Sequence, residues 1–397
     1  MPKDNSGCWG IFPLPMAAVP VSAPPRRHYR DEFPIFRHAI YLNSCSLGAL
    51  SRRSRARVNE YLDVWEWRGA AAWYDTWWTA LGELRDRYGR MVGASGSDIA
   101  LHPNISAALT SVADALDYRH RRKVVITRLD FPTVAYQWLA RSSEGIELVM
   151  LDSPDGVQVP LEAFERAVDD RTALVATSHV FFTSGAIQDV SALADIAHRH
   201  GALLLVDGYH AAGQLPVDVR GLGVDFYCAG GLKWLLGGSG IAFLYVRSDL
   251  AVKLATRATG WFGNKEQFRF DPERLVLHDD ARRFEAGTPG MAAVYAQLGG
   301  LDVLEELGAT EIRHATMALT EALIERAREA GLRPKVAATV ETRSGIVMLP
   351  SDDPARDVKR LAAANIVTDA RPGHVRVSPY FYNVPDDLDA LVELLTS

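Results

Sequence analysis

Cysteine is scarce in this chain. Three residues, Cys8, Cys45 and Cys228, are spread over 397 positions, too few and too scattered for a disulfide framework or a zinc site. No metal site is expected, and a reducing cytoplasm is the simplest compartment. Positive charge is not in excess either: 43 Lys+Arg stand against 49 Asp+Glu, a formal charge of −6. Nucleic-acid binding, which needs concentrated positive charge, has no electrostatic basis here. No uninterrupted apolar run is long enough to span a bilayer, so no membrane partner is expected.

The pattern of a secretion signal is missing as well. The first thirty residues carry Pro13, Pro15, Pro20, Pro24 and Pro25, and their apolar piece, Met16-Ala17-Ala18-Val19, is short. A signal peptide has a longer apolar region with basic residues ahead of it, where this chain has Asp4. Residues 1–30 therefore read as a flexible proline-rich tail. The remainder is ordinary globular material, with 48% hydrophobic and 23% charged residues. Its length suits one large domain and a smaller one.

What the chain does have is an alternation of short apolar runs and helical segments from about residue 95. The runs are Lys123–Thr127, Leu148–Leu151, Ala173–Thr177, Ala202–Val206, Asp225–Cys228 and Ile241–Val246. Continuous apolar runs of this length suit strands covered on both faces. Ser191–His200 has helical period, with Gly201 where a C-cap belongs. The pattern predicts an α/β fold with a mainly parallel sheet. Beyond it, helices are expected over Met291–Leu307, Thr310–Ala330, Asp357–Ala364 and Asp386–Leu395. Strands over Gly345–Leu349 and His374–Ser378 complete a compact α+β unit.

Two residues past strand ends carry the chemistry. Asp207 closes Leu203-Leu204-Leu205-Val206, and Lys233 lies between Phe226-Tyr227-Cys228-Ala229 and the glycine-rich Gly237-Gly238-Ser239-Gly240. Ligands of such sheets sit at the carboxyl ends of the strands. An acid and a lysine there suggest pyridoxal 5′-phosphate: the lysine as Schiff-base amine, the acid as partner of the ring nitrogen. The phosphate needs a helix N-terminus, and Asn104-Ile105-Ser106, after Pro103, leads into one. Phe131 can stack on a flat ring. Arg376, in Val375-Arg376-Val377-Ser378, can fork a substrate carboxylate. Taken singly, each has a commoner explanation: a turn aspartate, a solvated lysine, a core phenylalanine, a surface arginine. Their joint order near strand ends outweighs those readings.

With these residues in place, the chain resembles the fold-type I enzymes of the class V aminotransferase superfamily over roughly residues 35–397. The resemblance rests on Tyr41–Gly48, Leu205–Gly213, Gly260-Trp261-Phe262-Gly263 and Arg283–Pro289. It implies an aspartate aminotransferase-like fold: a large domain around a mainly parallel seven-stranded sheet, and a small α+β C-terminal domain. The division expected is residues 31–60 packing on the small domain, 61–300 as the large domain and 301–397 as the small one. It implies Lys233 as the imine lysine, Asp207 at the pyridinium, His210 near the cofactor's phenolic oxygen and Ser106 with Ile105 at the phosphate. It further implies Trp261 among the cofactor contacts, Thr288 reaching the phosphate from a neighbouring subunit, hence a homodimer with shared sites, and Arg376 at the substrate carboxylate.

The departures narrow the expectation. Thr368–His374 lacks the nucleophilic cysteine of cysteine desulfurases, which argues against persulfide formation. Gly230 and Leu232 stand where many relatives have a hydroxyl residue and a histidine. Phe131-Pro132-Thr133, Ser46-Leu47-Gly48 and Gly260-Trp261 resemble kynureninases, although Phe181 and Phe182 are less polar than theirs. The activity expected is cleavage of a C–S or C–C bond in the side chain of an amino acid. Transamination is the main alternative, with epimerisation or oxidative deamination behind it. A binding protein without catalysis is the rival of another class. Trp65, Trp67, Trp73, Trp77 and Trp78 are expected to pack at a partner or small-domain contact, with a substrate wall as the sharper alternative. Cys45 is read as a buried structural cysteine, with a place lining the site mouth as the alternative.

Overall fold

The structure is a computed structural model that describes residues 27–254 and 256–397. The proline-rich segment before residue 27, including Cys8, lies outside the described residues. Seven strands form the central sheet: β1 (Ile99–His102), β2 (Lys123–Thr127), β3 (Glu147–Leu151), β4 (Thr172–Ser178), β5 (Leu203–Asp207), β6 (Phe226–Gly230) and β7 (Ala242–Val246). Their spatial order is β1-β7-β6-β5-β4-β2-β3. β7 runs antiparallel to both neighbours, and the other pairings are parallel. The mainly parallel α/β sheet read from the sequence is what these residues build.

The apolar runs are continuous because both faces of the sheet are covered. Alternate residues enter separate cores. Leu204, Val206, Tyr227 and Ala229 join one, while Leu205, Phe226 and Cys228 join the other. The helix Val190–Arg199, capped by Asp189 at the Ala192 N–H (3.0 Å), packs on the first face. The backbone turns at Gly201, whose φ is 67°, as the sequence suggested.

A third core lies in the C-terminal part, built from Leu319, Leu323, Val347, Leu349, Leu361, Val375, Val377, Leu388 and Leu391. It encloses an antiparallel sheet of Asp369–Arg371, His374–Val377 and Val347–Pro350. The helix Met291–Leu307 is continuous through residue 300 and is buried in the first core. Near the N-terminus, Ile40–Tyr41 pairs in parallel with Ile366–Val367, and Leu42 enters the third core. Arg30 donates to both carboxylate oxygens of Asp387 (2.7 and 2.9 Å), tying the first described helix, Arg27–Asp31, to the last, Pro385–Thr396. Among the described residues no helix is long and apolar enough to cross a membrane.

Candidate active site

The carboxyl ends of β4, β5 and β6 open onto a cavity of about 250 Å³. Asp207, the last residue of β5, forms part of its floor; Lys233, three residues past β6, enters from the side. Phe131 and Val180 contribute apolar wall, and Arg371 and Arg376 from the C-terminal sheet close one end. The lysine loop is held from two directions. The Gly48 N–H donates to Leu232 O (2.9 Å), and any side chain at 48 would overlap the Lys233 carbonyl. This close approach explains the glycine in Ser46-Leu47-Gly48. From the other side, Gln297 Nε2 donates to Leu235 O (2.8 Å).

Electrostatics at the floor are set by burial. Asp207 is 6% exposed, and loss of water pushes its carboxyl up to about 6; the Tyr209 N–H and the Lys233 charge oppose the rise. Its one hydrogen bond from the described protein is that N–H, donated to Oδ1 (2.9 Å). A buried carboxylate without a cation on it is costly. Lys233 is pushed the other way, down to about 8, chiefly by burial and also by Arg376 and Arg371. Its Nζ lies 2.9 Å from His210 Nε2, 4.3 Å from the centre of the Tyr209 ring and 5.9 Å from that of Phe131. Burial also lowers His210 well below the usual histidine range, with Lys233, Arg376 and Arg371 acting in the same direction.

The arginine end is a shared-charge cluster. Arg376 is 2% exposed. Its Nη2 donates to Asp369 Oδ2 (2.6 Å) and Ser46 Oγ (2.7 Å), and its Nη1 to Phe182 O (3.2 Å). Its Nε is buried with no hydrogen-bond partner. Arg371 Nη1 donates to the other oxygen of the same carboxylate (2.8 Å). Two guanidinium groups thus share one aspartate, leaving one uncompensated positive charge beside the cavity.

Six of the sequence-expected residues come together here: Lys233, Asp207, His210, Ile105, Phe131 and Arg376 all line the cavity. Three do not. Ser106 is exposed and bonds Thr133 through its hydroxyl (2.8 Å). Thr288 is exposed. Trp261 is 41% exposed and donates to Gln267 O (2.9 Å), stacking on Phe270. None of the five tryptophans lines the cavity; Trp73, Trp77 and Trp78 form a ring cluster that reaches Phe262 and Trp261. Cys45 is buried and belongs to the cavity wall. Sequence reasoning gave no site role to Tyr209, Phe182, Asp369 or Arg371. It also treated Gly230 as a missing contact, whereas a side chain there would overlap the Tyr209 ring. The glycine is the seat of the aromatic that lies over Lys233.

The residues present fit pyridoxal phosphate. The uncompensated buried carboxylate of Asp207 suits a protonated pyridine nitrogen, and an amine depressed toward neutrality suits an aldehyde. A family model, Aminotransferase class-V, matches residues 75–391. The chain belongs to the class V aminotransferase family. It is 34% identical over 363 residues, 91% of this chain and 94% of the relative, to uncharacterized aminotransferase YcbU of Bacillus subtilis (strain 168). It is 28% identical over 372 residues, 89% of this chain and 87% of the relative, to a kynureninase of Geobacillus thermodenitrificans (strain NG80-2). Among solved structures it is similar to a lysine-to-alanine mutant of C-DES with glycine covalently linked to the PLP cofactor. That likeness has a TM-score of 0.87 at 20% identity and covers 94% of this chain and 99% of that one. The protein is a pyridoxal phosphate-dependent enzyme of fold type I, and the rival of a non-catalytic binding protein falls away.

Proposed function

We propose that this class V enzyme acts on an α-amino acid with an uncharged side chain and cleaves a C–S or C–C bond within that side chain. The carrying observation is the composition of the cavity: one depressed amine, one net positive charge at the arginine end, and otherwise mainly apolar walls. One net positive charge suits one carboxylate. Val180, Phe182 and Phe131 offer no partner to a second ionic group. When bound, pyridoxal phosphate supplies the electron sink that lets the substrate Cα lose a proton. The protein's own groups do the rest. Asp207 stays ionised against the ring nitrogen. Arg376, through its partnerless Nε, holds the carboxylate. Lys233 Nζ takes up and returns the Cα proton, and Phe131 supplies a flat apolar face.

Ser106 is assigned to the phosphate side of the same site, with Thr288 reaching it from a second copy of the protein, and Trp261 to the cofactor contacts. The exposure of Phe131 (45%) beside the cavity supports this reading, since a working site of this kind excludes water. The two described cysteines are free and buried, in keeping with work in a reducing cytoplasm. Transamination is the second reading, favoured by the name of the Bacillus subtilis relative.

The test is incubation of the cofactor-loaded protein with cysteine and aryl-ketone amino acids, without an acceptor keto acid. Cleavage releases the fragment over many turnovers. Product that stops at one equivalent per site, with the cofactor left in its amine form, would replace cleavage by transamination.

A further inference from the structure

The amine of Lys233 meets a histidine whose proton position can be read from its other neighbour. Trp234 Nε1 lies 3.3 Å from His210 Nδ1, as the donor of a hydrogen bond. An indole nitrogen donates and never accepts, so Nδ1 must offer a lone pair. His210 is 5% exposed and held neutral. In neutral imidazole one nitrogen carries the proton; with Nδ1 bare, it is Nε2. Nε2 is the atom 2.9 Å from Lys233 Nζ. That contact is a hydrogen bond only if Nε2–H donates and Nζ accepts, which an ammonium group cannot do.

The indole is not free to turn away. Trp234 is fully buried, and its ring meets Tyr380 edge-on at 5.1 Å. The Tyr380 hydroxyl donates to Gly213 O (2.5 Å) and Trp234 O (3.1 Å). His210 is anchored through its own backbone, whose carbonyl accepts from Gln214 Nε2; Gln214 Oε1 in turn accepts from the Gly345 N–H (2.8 Å).

We propose that Trp234 is a positioning residue: its indole N–H locks His210 in the Nε2–H form, and His210 then holds the Lys233 amine with its lone pair available for condensation with an aldehyde. The other groups facing Nζ divide. Asp207, Cys45 and the Tyr209 ring favour the ammonium; Arg371 and Arg376 disfavour it. None of them prescribes a donor at Nζ, and the Trp234–His210 pair does. The inference concerns this site's own protons and stands whichever bond the enzyme breaks.

Two measurements on the cofactor-free full-length protein test it. The first is nitrogen NMR of histidine-labelled protein, the His210 signal being the one that H210Q removes. A bare Nδ1 and a protonated Nε2 are expected; a protonated Nδ1 would overturn the proposal with no substitution at Trp234 needed. The second is the pH dependence of the rate at which added pyridoxal phosphate condenses with Lys233, followed by its absorbance. Trp234→Phe keeps the packing and removes the N–H. Its midpoint is expected to move up by about one pH unit, one hydrogen bond's worth, with the His210 signal shifting to mixed tautomers. An unmoved midpoint in a folded W234F would refute the relay.

Discussion

Asp207 offers the sharpest test of how the cofactor is held. Its carboxyl is pushed up to about 6 because it is buried without a cation, so the cofactor-free protein is largely protonated there at pH 5 and largely ionised at pH 7. A raised carboxyl value means that the anion, and with it the grip on a pyridinium, is gained as pH rises through about 6. From pH 5 to pH 7 the ionised fraction increases about tenfold. Other groups titrate nearby, including the cofactor phosphate, with an ionisation near 6, and Lys233. Those remain in Asp207→Asn, which removes the titrating acid alone. The quantity to measure is therefore the ratio of dissociation constants, D207N over wild type, by fluorescence titration with pyridoxal phosphate at each pH. Removing one partner of a buried charge pair costs about 3–5 kcal/mol, so the ratio at pH 7 is expected at about two to four orders of magnitude. It should fall about tenfold by pH 5. A ratio that stays constant across that range would show that position 207 is not the titrating grip, and the account of the floor would fail.

Two further perturbations probe the walls. Gly230→Ser should drive its side chain into the Tyr209 ring, lower the unfolding free energy by about 1–3 kcal/mol and weaken cofactor absorbance; the double variant with Tyr209→Ala should recover stability, and a stable G230S single variant would contradict the seating of Tyr209. Asp369→Asn should turn the arginine end from one net positive charge into two. Small dicarboxylates should then inhibit about tenfold more strongly relative to monocarboxylates, in competitive inhibition assays; an unchanged preference would mean that Asp369 does not set the charge of that end.

Much of this site could be read from the sequence because its parts are local. Asp207, His210 and Lys233 fall within 27 positions, and two apolar runs fix both strand ends. The succession of strands, the seven-stranded sheet and the helix Met291–Leu307 followed from period and resemblance. The arginine end was harder. Arg376 was expected, but its working environment joins Ser46, Phe182, Asp369 and Arg371, contacts that span up to 330 positions. One part of it did carry a local signal. Arg371-Pro372-Gly373-His374 reads as a tight turn. A hairpin there sets Asp369 opposite Arg376, as the strands do, so the cross-strand ion pair follows from register alone.

Gly230 shows a different limit. Against relatives it reads as a lost hydroxyl, because comparison asks what a position contributes. The structure shows that it contributes space. The aromatic that fills this space, Tyr209, comes from the segment of Asp207 and His210, so the change at 230 and the ring at 209 form one coupled feature. The same logic applies to Leu232, which lines the cavity at the position where the resemblance leads one to expect histidine. It adds to the apolar lining, and an apolar wall favours an uncharged side chain over an ionic one by the cost of removing the charge from water. Both departures thus argue in one direction, toward the proposed substrate class, which the single uncompensated charge at Arg371 and Arg376 also supports.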